Sequence, residues 1–167
     1  MKKAFFALAL ALAALVTAVA DPAEGLWKSI DEDGKVTAAW RIYQRDGVLY
    51  GEIVTVPGQD DATLAKDCKS AYKGFPIAGD VNKMRVVGTP FIFGLRAKSA
   101  GTWEGGNIID PKDGKMYKCK ISFRPADGKK FTADTLEMRG EIGLGIGRSQ
   151  YWVRTTEAEI EAMRANG

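Results

Sequence analysis

Apolar and polar residues alternate along segment after segment of this chain, and this alternation constrains its fold more than any other feature. In the clearest case, residues 116–124, Tyr117, Cys119, Ile121 and Phe123 are separated by lysine and serine residues. Side chains of a β-strand point alternately to its two faces, so this pattern predicts a strand with one buried face. Seven further segments show the same pattern: 26–30, 36–45, 48–56, 91–97, 102–109, 131–138 and 148–154. The sequence therefore predicts an all-β fold of about eight strands.

The connections between these segments predict how the strands are arranged. Asp-Gly pairs stand at 33–34, 46–47, 113–114 and 127–128. Both residue types tolerate the positive φ angles of tight hairpin turns, so sequential strands are expected to pair antiparallel. Glycines within the predicted strands suit sharp bends, as at Gly51, Gly94, Gly105 and Gly106. Closure would remove the exposed sheet edges, so an up-and-down β-barrel that holds side chains or one small ligand is expected.

Two segments depart from the alternation. Residues 59–84 are polar and rich in turn residues, which predicts a long loop over one barrel end with a short helical turn at 62–67. Residues 155–165 predict a short C-terminal helix, because Thr156 and Glu159 form a capping-box pattern before Ile160 and Met163.

The first twenty residues have the pattern of a cleaved export signal. Lys2 and Lys3 precede an apolar run, and Ala18-Val19-Ala20 provides a small-residue cleavage site. The apolar run is shorter than the roughly 20 residues that a membrane-spanning helix needs. We therefore expect a signal peptide at 1–20, cleavage after Ala20, and a single domain at 21–167 in the periplasm or secreted, with no integral membrane segment.

Charge and residue usage narrow the possible functions. The chain has 24 basic and 21 acidic residues, two of the basic ones in the leader, so the mature domain is nearly neutral and nucleic-acid binding is not expected. The absence of histidine excludes Ser-His and Cys-His nucleophile pairs and removes the commonest transition-metal ligand. We therefore expect no cofactor, no metal site and no catalytic residues, and a binding protein rather than an enzyme.

Two carboxylates invite a catalytic interpretation. Glu104 and Asp110 could act as an acid and base pair if they converged at roughly 5–9 Å on one bond. The alternative is a simple hairpin, in which Asp110-Pro111 ends one strand and Asp113-Gly114 turns into the next. The turn chemistry favours the hairpin.

Cys68 and Cys119 are the two cysteines of the chain. In an oxidising compartment an isolated pair more often forms one disulfide than two free thiols, so a Cys68–Cys119 disulfide is expected. The alternative, thiol chemistry, is disfavoured because their spacing does not resemble C-x-x-C.

The first and last predicted strands resemble the corresponding strands of lipocalins. Gly25-Leu26-Trp27 begins the first strand, and Arg148 and Arg154 lie in the last. In lipocalins such a tryptophan closes the barrel floor beneath an arginine of the final strand, and a guanidinium stacks well on an indole. The resemblance implies a lipocalin-like barrel and structural roles for Gly25, Trp27, Arg148 and Arg154.

A second resemblance covers nearly the whole domain and points to the bacterial secreted family known as domain of unknown function 2147. It rests on Gly25-Leu26-Trp27, Trp103-Glu104-Gly105-Gly106-x-Ile108-x-Asp110-Pro111-x-x-Gly114-Lys115-x-Tyr117, Leu136-x-x-Arg139-Gly140 and Gly147-Arg148-x-x-x-Trp152-x-Arg154. The family implies a lipocalin-like barrel outside the cytoplasm with no established activity. Many relatives carry two cysteines after the Arg-Gly pair, whereas this chain has Glu141 and Gly145 in that stretch.

Two functional hypotheses follow. The first is that the barrel binds a small, largely apolar molecule, because barrels of eight strands can enclose one ligand. Its candidate lining residues are Trp40, Ile42, Phe91, Phe93, Tyr117, Ile121 and Phe123. The alternative is an envelope interaction module that contacts a protein or cell-wall partner through the 59–84 loop, which predicts a wide exposed apolar patch near that loop.

Overall fold

A computed structural model describes residues 20–143 and 145–165, which form eight strands, one 3-10 turn and one helix. The predicted leader lies outside the described residues except for Ala20, so it stays a prediction. The elements are β1 (Gly25–Ile30), β2 (Val36–Arg45), β3 (Val48–Thr55), β4 (Ile92–Ser99), β5 (Thr102–Ile109), β6 (Met116–Arg124), β7 (Thr135–Gly143), β8 (Ile146–Arg154) and α1 (Glu157–Ala165), with the 3-10 turn at Val81–Lys83. Within the described ranges no helix is long and apolar enough to cross a bilayer.

The eight strands form a closed antiparallel barrel in which each strand pairs with its neighbours in sequence. Closure is made by β1 and β8, where Trp27 pairs with Arg154 and Lys28 with Val153. This confirms the predicted up-and-down barrel. The Asp46-Gly47 pair has positive φ at both residues, 53° and 71°, as a tight hairpin turn requires.

The seventh strand differs from the prediction, because it runs from Thr135 to Gly143 instead of 131–138. The carboxylate of Asp127 accepts hydrogen bonds from the backbone N–H groups of Lys129 and Phe131 at 2.8 and 2.9 Å. These bonds hold the segment before the strand in a turn. At its other end β7 runs to Gly143, and β8 begins at Ile146.

A bulge in β4 and another in β5 change which side chains face the interior. Gly94 and Gly105 have positive φ angles of 77° and 80°, and the pairing of each strand with its other neighbour shifts by one residue there. An extra residue reverses the alternation of a strand. The two bulges bend the sheet as the strand glycines predicted.

Helix α1 packs against the outside of the barrel. Ile160 is buried against Ala39 of β2 and Val54 of β3. The predicted capping box is present: the N–H of Glu159 donates to Thr156 Oγ1 and the N–H of Thr156 donates to Glu159 Oε2, both at 3.2 Å. The predicted C-terminal helix is thus confirmed.

The connection between β3 and β4, residues 56–91, runs over one end and one side of the barrel. Residues 62–67 do not form the predicted helical turn. Instead Leu64 makes an isolated bridge with Arg85, and the helical turn lies at Val81–Lys83. Tyr72 fixes the loop to the barrel, because its hydroxyl donates to the carbonyl of Gly114 at 2.7 Å. This bridge joins two segments of the loop and satisfies backbone N–H and C=O groups that an isolated turn would leave to solvent.

The disulfide expected between Cys68 and Cys119 is not formed: both thiols are free and buried. Cys68 contacts the Gly114 turn at the end of the barrel, whereas Cys119 lies inside the barrel opposite Gly106 and Gly140. Five residues of nearly extended chain separate Gly114 from Cys119, which is roughly 15 Å. A disulfide needs Cα atoms within about 7 Å, so this geometry excludes the bond.

We expect both cysteines to resist thiol reagents in the native protein. Burial raises the pKa of the Cys68 thiol and of the Cys119 thiol, which keeps both sulfurs protonated and weakly reactive. Titration with a chromogenic disulfide reagent should label Cys119 only as fast as the barrel unfolds, and should count two thiols after denaturation. Fewer than two thiols in denatured protein isolated without reductant would contradict the free state.

Candidate ligand-binding site

The barrel has a floor end, which carries the Asp46-Gly47 turn, and a mouth end, which carries the 56–91 loop. At the floor end, the guanidinium of Arg154 lies 3.9 Å from the ring centroid of the buried Trp27. Arg154 also donates to the carbonyls of Glu24 and Pro22, each at 2.6 Å. This stack, with Phe123 packed edge-on against Trp27, seals the floor.

Gly25 belongs to the same floor. A Cβ atom on this residue would lie 2.5 Å from Arg154 Nη1, and its φ of 122° strains any other residue type. Glycine is therefore required for the arginine to reach the indole. Arg148 does not take part in the floor, because it pairs with Gly140 in the mouth half of the barrel.

The mouth half contains a cavity of about 910 Å³. Its lining comes from β1, β2, β3, β5, β6, β7, β8 and the 56–91 loop, with these side chains among the apolar ones: Ala38, Trp40, Ile53, Val56, Leu64, Val86, Ile108, Met138, Ile142, Ile146 and Trp152. Two of these stand at the rim, where Ile142 is 73% exposed and Ile146 62% exposed. Both point along the inner face of the β7–β8 hairpin by strand alternation.

Two stacked tryptophans form the bottom of the cavity. The rings of Trp40 and Trp152 are 4.9 Å apart with planes inclined by 23°. Each indole N–H is satisfied: Trp40 Nε1 donates to Ser29 Oγ at 3.2 Å and Trp152 Nε1 to Gln150 Oε1 at 2.9 Å. Because these donors are satisfied, the rings are held in place and offer an apolar aromatic surface to a bound molecule.

The wall also carries polar side chains. Tyr117, Arg148 and Gln150 lie on β6 and β8, and Gln59 and Thr63 lie on the loop. The amide nitrogen of Gln59 is buried without a hydrogen-bond partner among the described residues. Such a group in a cavity normally meets water or a ligand. A largely apolar cavity with a few placed polar groups is the usual form of a small-molecule site.

Two of the seven predicted lining residues, Trp40 and Tyr117, line the cavity. Ile42, Ile121 and Phe123 face inward but lie closer to the floor, where they fill the core. Phe91 is also buried, but it lies at the mouth end, where its carbonyl accepts the N–H of Ile109. The closed half of the barrel is therefore solid, and the space lies near the mouth.

Phe93 is displaced from the interior by the bulge at Gly94. It pairs with Asn107, which pairs with the exposed Lys118, so the register places Phe93 on the outer face of the barrel. Phe75 of the loop covers it in an edge-to-face contact at 5.4 Å. Regular alternation from the inward-facing Leu95 would have placed this ring inside.

Sequence reasoning missed most of the β7 and β8 wall. Met138, Gly140, Arg148, Gln150 and Trp152 line the cavity, and alternation along β8 is the signal that places its three side chains on one face. Arg148 was expected to have a structural role beside Arg154, and Gln150 was not among the predicted site residues. Only the closed register shows that they face inward.

The two carboxylates of the catalytic interpretation do not converge. Glu104 is on the outer face of β5, where it pairs with Lys98 at 3.1 Å, while Asp110 follows β5 at the mouth. Six residues of strand separate them, roughly 15–20 Å. At that distance the two carboxylates cannot act together on one bond of a substrate.

The apolar side chains of the 59–84 loop pack mainly against the barrel. Within this fully described segment the large exposed apolar residues are Leu64 and Ile77, and Leu64 lines the cavity. The wide apolar patch that a partner-binding loop would need is therefore not present on the described surface of this segment.

A closed eight-stranded meander with an indole and arginine floor and an internal cavity defines a lipocalin-like barrel. The fold resembles that of protein HP1028 from the human pathogen Helicobacter pylori, described as belonging to the lipocalin family, with a TM-score of 0.64 and 16% identity over 84% of this chain and 88% of that one. The chain belongs to the bacterial family of uncharacterized proteins DUF2147, whose family model matches residues 25–154. No curated protein matches it.

Proposed function

We propose that this protein binds one small, largely apolar molecule in the mouth half of its barrel, outside the cytoplasm. The cavity of about 910 Å³ carries the proposal. Its volume lies within the range of about 300–1,000 Å³ that is typical of small-molecule sites. The compartment is proposed from the predicted export signal at 1–20.

The nature of the walls supports an apolar ligand. The Trp40–Trp152 stack offers a rigid aromatic surface, and aliphatic residues of β3, β5 and β7 surround it. A molecule that removes these surfaces from water gains roughly 25 cal/mol for each Å² of apolar surface buried. The exposed Ile142 and Ile146 continue the apolar surface to the rim, which gives such a molecule a path inward.

Filling the cavity should weaken binding without harming the fold. A Cβ on Gly140 would meet Tyr117 Cβ at 3.6 Å and Ile108 Cγ2 at 3.9 Å, which are ordinary contacts, so Gly140→Leu would project into the empty space. We expect the affinity for the neutral fluorescent dye N-phenyl-1-naphthylamine to fall about tenfold or more, which is about 1.4 kcal/mol. Dye fluorescence measures the binding and thermal unfolding measures the fold.

The matched control places the same leucine on the outside. Lys118 is exposed on the outer face of β6, and Lys118→Leu should leave the dye affinity unchanged. Wild-type affinity in a folded Gly140→Leu variant would disprove binding in this cavity. Native mass spectrometry of protein purified gently from its own compartment would then show whether any molecule is held elsewhere.

A further inference from the structure

One wall of the cavity carries a charge that a site for a purely apolar molecule does not need. Along the inner face of β8 the residues from rim to bottom are Ile146, Arg148, Gln150 and Trp152. Arg148 and Gln150 thus form a polar step between an apolar rim and the tryptophan stack. The cavity wall along β8 therefore changes from apolar at the rim to polar in the middle and aromatic at the bottom.

Arg148 has no partner among the described residues: it forms no ion pair there and donates no hydrogen bond to a protein acceptor. Two other arginines of the same hairpin show the contrast. Arg139 on the outer face is paired with Glu141 at 2.7 Å, and Arg154 donates to two backbone carbonyls. A guanidinium has five N–H donors, and those of Arg148, whose exposed side chain lines the cavity, are used by no acceptor among the described residues.

Gln150 adds donors beside this charge. An indole N–H can only donate, so the atom of Gln150 that meets Trp152 Nε1 must be the amide oxygen. The NH₂ group of Gln150 therefore points away from the indole, on a side chain that lines the cavity. With the unpartnered amide nitrogen of Gln59, the wall offers donors that call for an acceptor on the ligand.

The acidic residues of the lining do not neutralise Arg148. Asp110 and Asp67 lie in the connections at the mouth, with Lys112 beside them. The carboxylate of Asp110 accepts the backbone N–H of Lys112 at 2.9 Å, which commits it to the turn. Arg148 is the charged lining residue that a strand carries into the wall.

Resting on the proposed function, we propose that the ligand is an amphipathic molecule whose anionic oxygen head group binds Arg148 and Gln150 while its apolar body lies on the Trp40–Trp152 stack. The planar guanidinium fork matches the oxygens of a carboxylate or a phosphate in a bidentate arrangement. The polar step and the aromatic bottom are adjacent on β8, so one molecule contacts both.

Four probes with the same twelve-carbon chain separate the head group from the chain: dodecanoate, dodecyl phosphate, dodecanol and dodecylamine. Each is titrated against the neutral dye bound to the full mature protein. We expect both anions to displace the dye at concentrations about tenfold or more below dodecanol, as a charge-assisted hydrogen bond provides. Comparison of the two anions tells which head group the site prefers.

Variants assign the preference to one side chain. Arg148→Met should bring dodecanoate to the affinity of dodecanol and leave dodecanol unchanged, while Arg148→Lys should keep most of the preference. Arg96→Met removes the same charge from the exposed face of β4 and should change neither affinity.

An equal loss of dodecanol and dodecanoate in Arg148→Met would overturn the head-group assignment, as would tighter binding of dodecylamine than of either anion. Those results would leave cavity binding intact. If no probe displaced the dye from wild-type protein, the proposed function itself would fail. Thermal unfolding of each variant verifies that Arg148→Met, a change at an exposed position, retains the fold.

Discussion

Replacing Trp27 with alanine is expected to lower the free energy of unfolding by about 3–5 kcal/mol, the cost of truncating a large buried aromatic residue. Trp27 is fully buried, it carries the Arg154 guanidinium on its face, and its indole N–H donates to the carbonyl of Ala23 at 2.9 Å. Alanine would open the floor. It would leave the carbonyl of Ala23 without its donor and remove the aromatic ring on which the guanidinium stacks. Urea unfolding followed by circular dichroism measures the change.

The control for this prediction is an aromatic residue on the outer face. Tyr151 of β8 is exposed and contacts only Phe131 and Lys130 among the described aromatic and cationic partners. Tyr151→Ala should cost less than about 1 kcal/mol, since exposed pairs contribute little. A Trp27→Ala variant as stable as Tyr151→Ala would show that the indole and arginine stack does not hold the floor.

Replacing either of two glycines on the inner wall with alanine should change the free energy of unfolding, in opposite directions at the two positions. A Cβ on Gly106 would lie 2.6 Å from Leu95 N and 2.7 Å from Leu95 Cδ1, and closer still to Phe93 O. Two of these atoms belong to the backbone of β4, so they can move only by breaking the β4–β5 pairing. We expect Gly106→Ala to cost about 3 kcal/mol, at the upper end of the overpacking range.

Gly140 is the matched partner, because its Cβ would make only ordinary contacts and its backbone is not in the left-handed region. Gly140→Ala should stabilise the protein by about 0.4–1 kcal/mol, since alanine reduces the conformational entropy of the unfolded chain. Urea unfolding of the two variants side by side tests both signs. Equal changes in the free energy of unfolding at the two positions would mean that contact with β4 does not determine the loss of stability.

Local sequence signals predicted the elements that depend on local chemistry. Alternation gave seven of the strands to within a few residues, and Asp46-Gly47 marked a hairpin turn. Thr156 and Glu159 marked the helix start. The seventh strand was predicted to begin at residue 131 instead of Thr135, because the turn held by Asp127 includes residues that were counted as part of the strand. These signals act between residues close in sequence, which is why a single chain reveals them.

The candidate site was predicted only in part. Trp40 and Tyr117 line the cavity, but Phe93 does not, because a bulge one residue away reverses the face on which its ring lies. Among the two arginines of β8, position along the strand separates the floor residue Arg154 from the cavity residue Arg148. Nothing local distinguishes these two side chains.

The sequence by itself determined that this chain forms a meander of paired strands with a capped C-terminal helix, because side-chain alternation and turn chemistry act over a few residues. The tertiary structure alone decided that the floor half is filled and the mouth half is open, that Cys68 and Cys119 stay apart, and that Arg148 faces inward. Those features follow from barrel closure, bulges and long-range register, which bring together residues far apart in the chain.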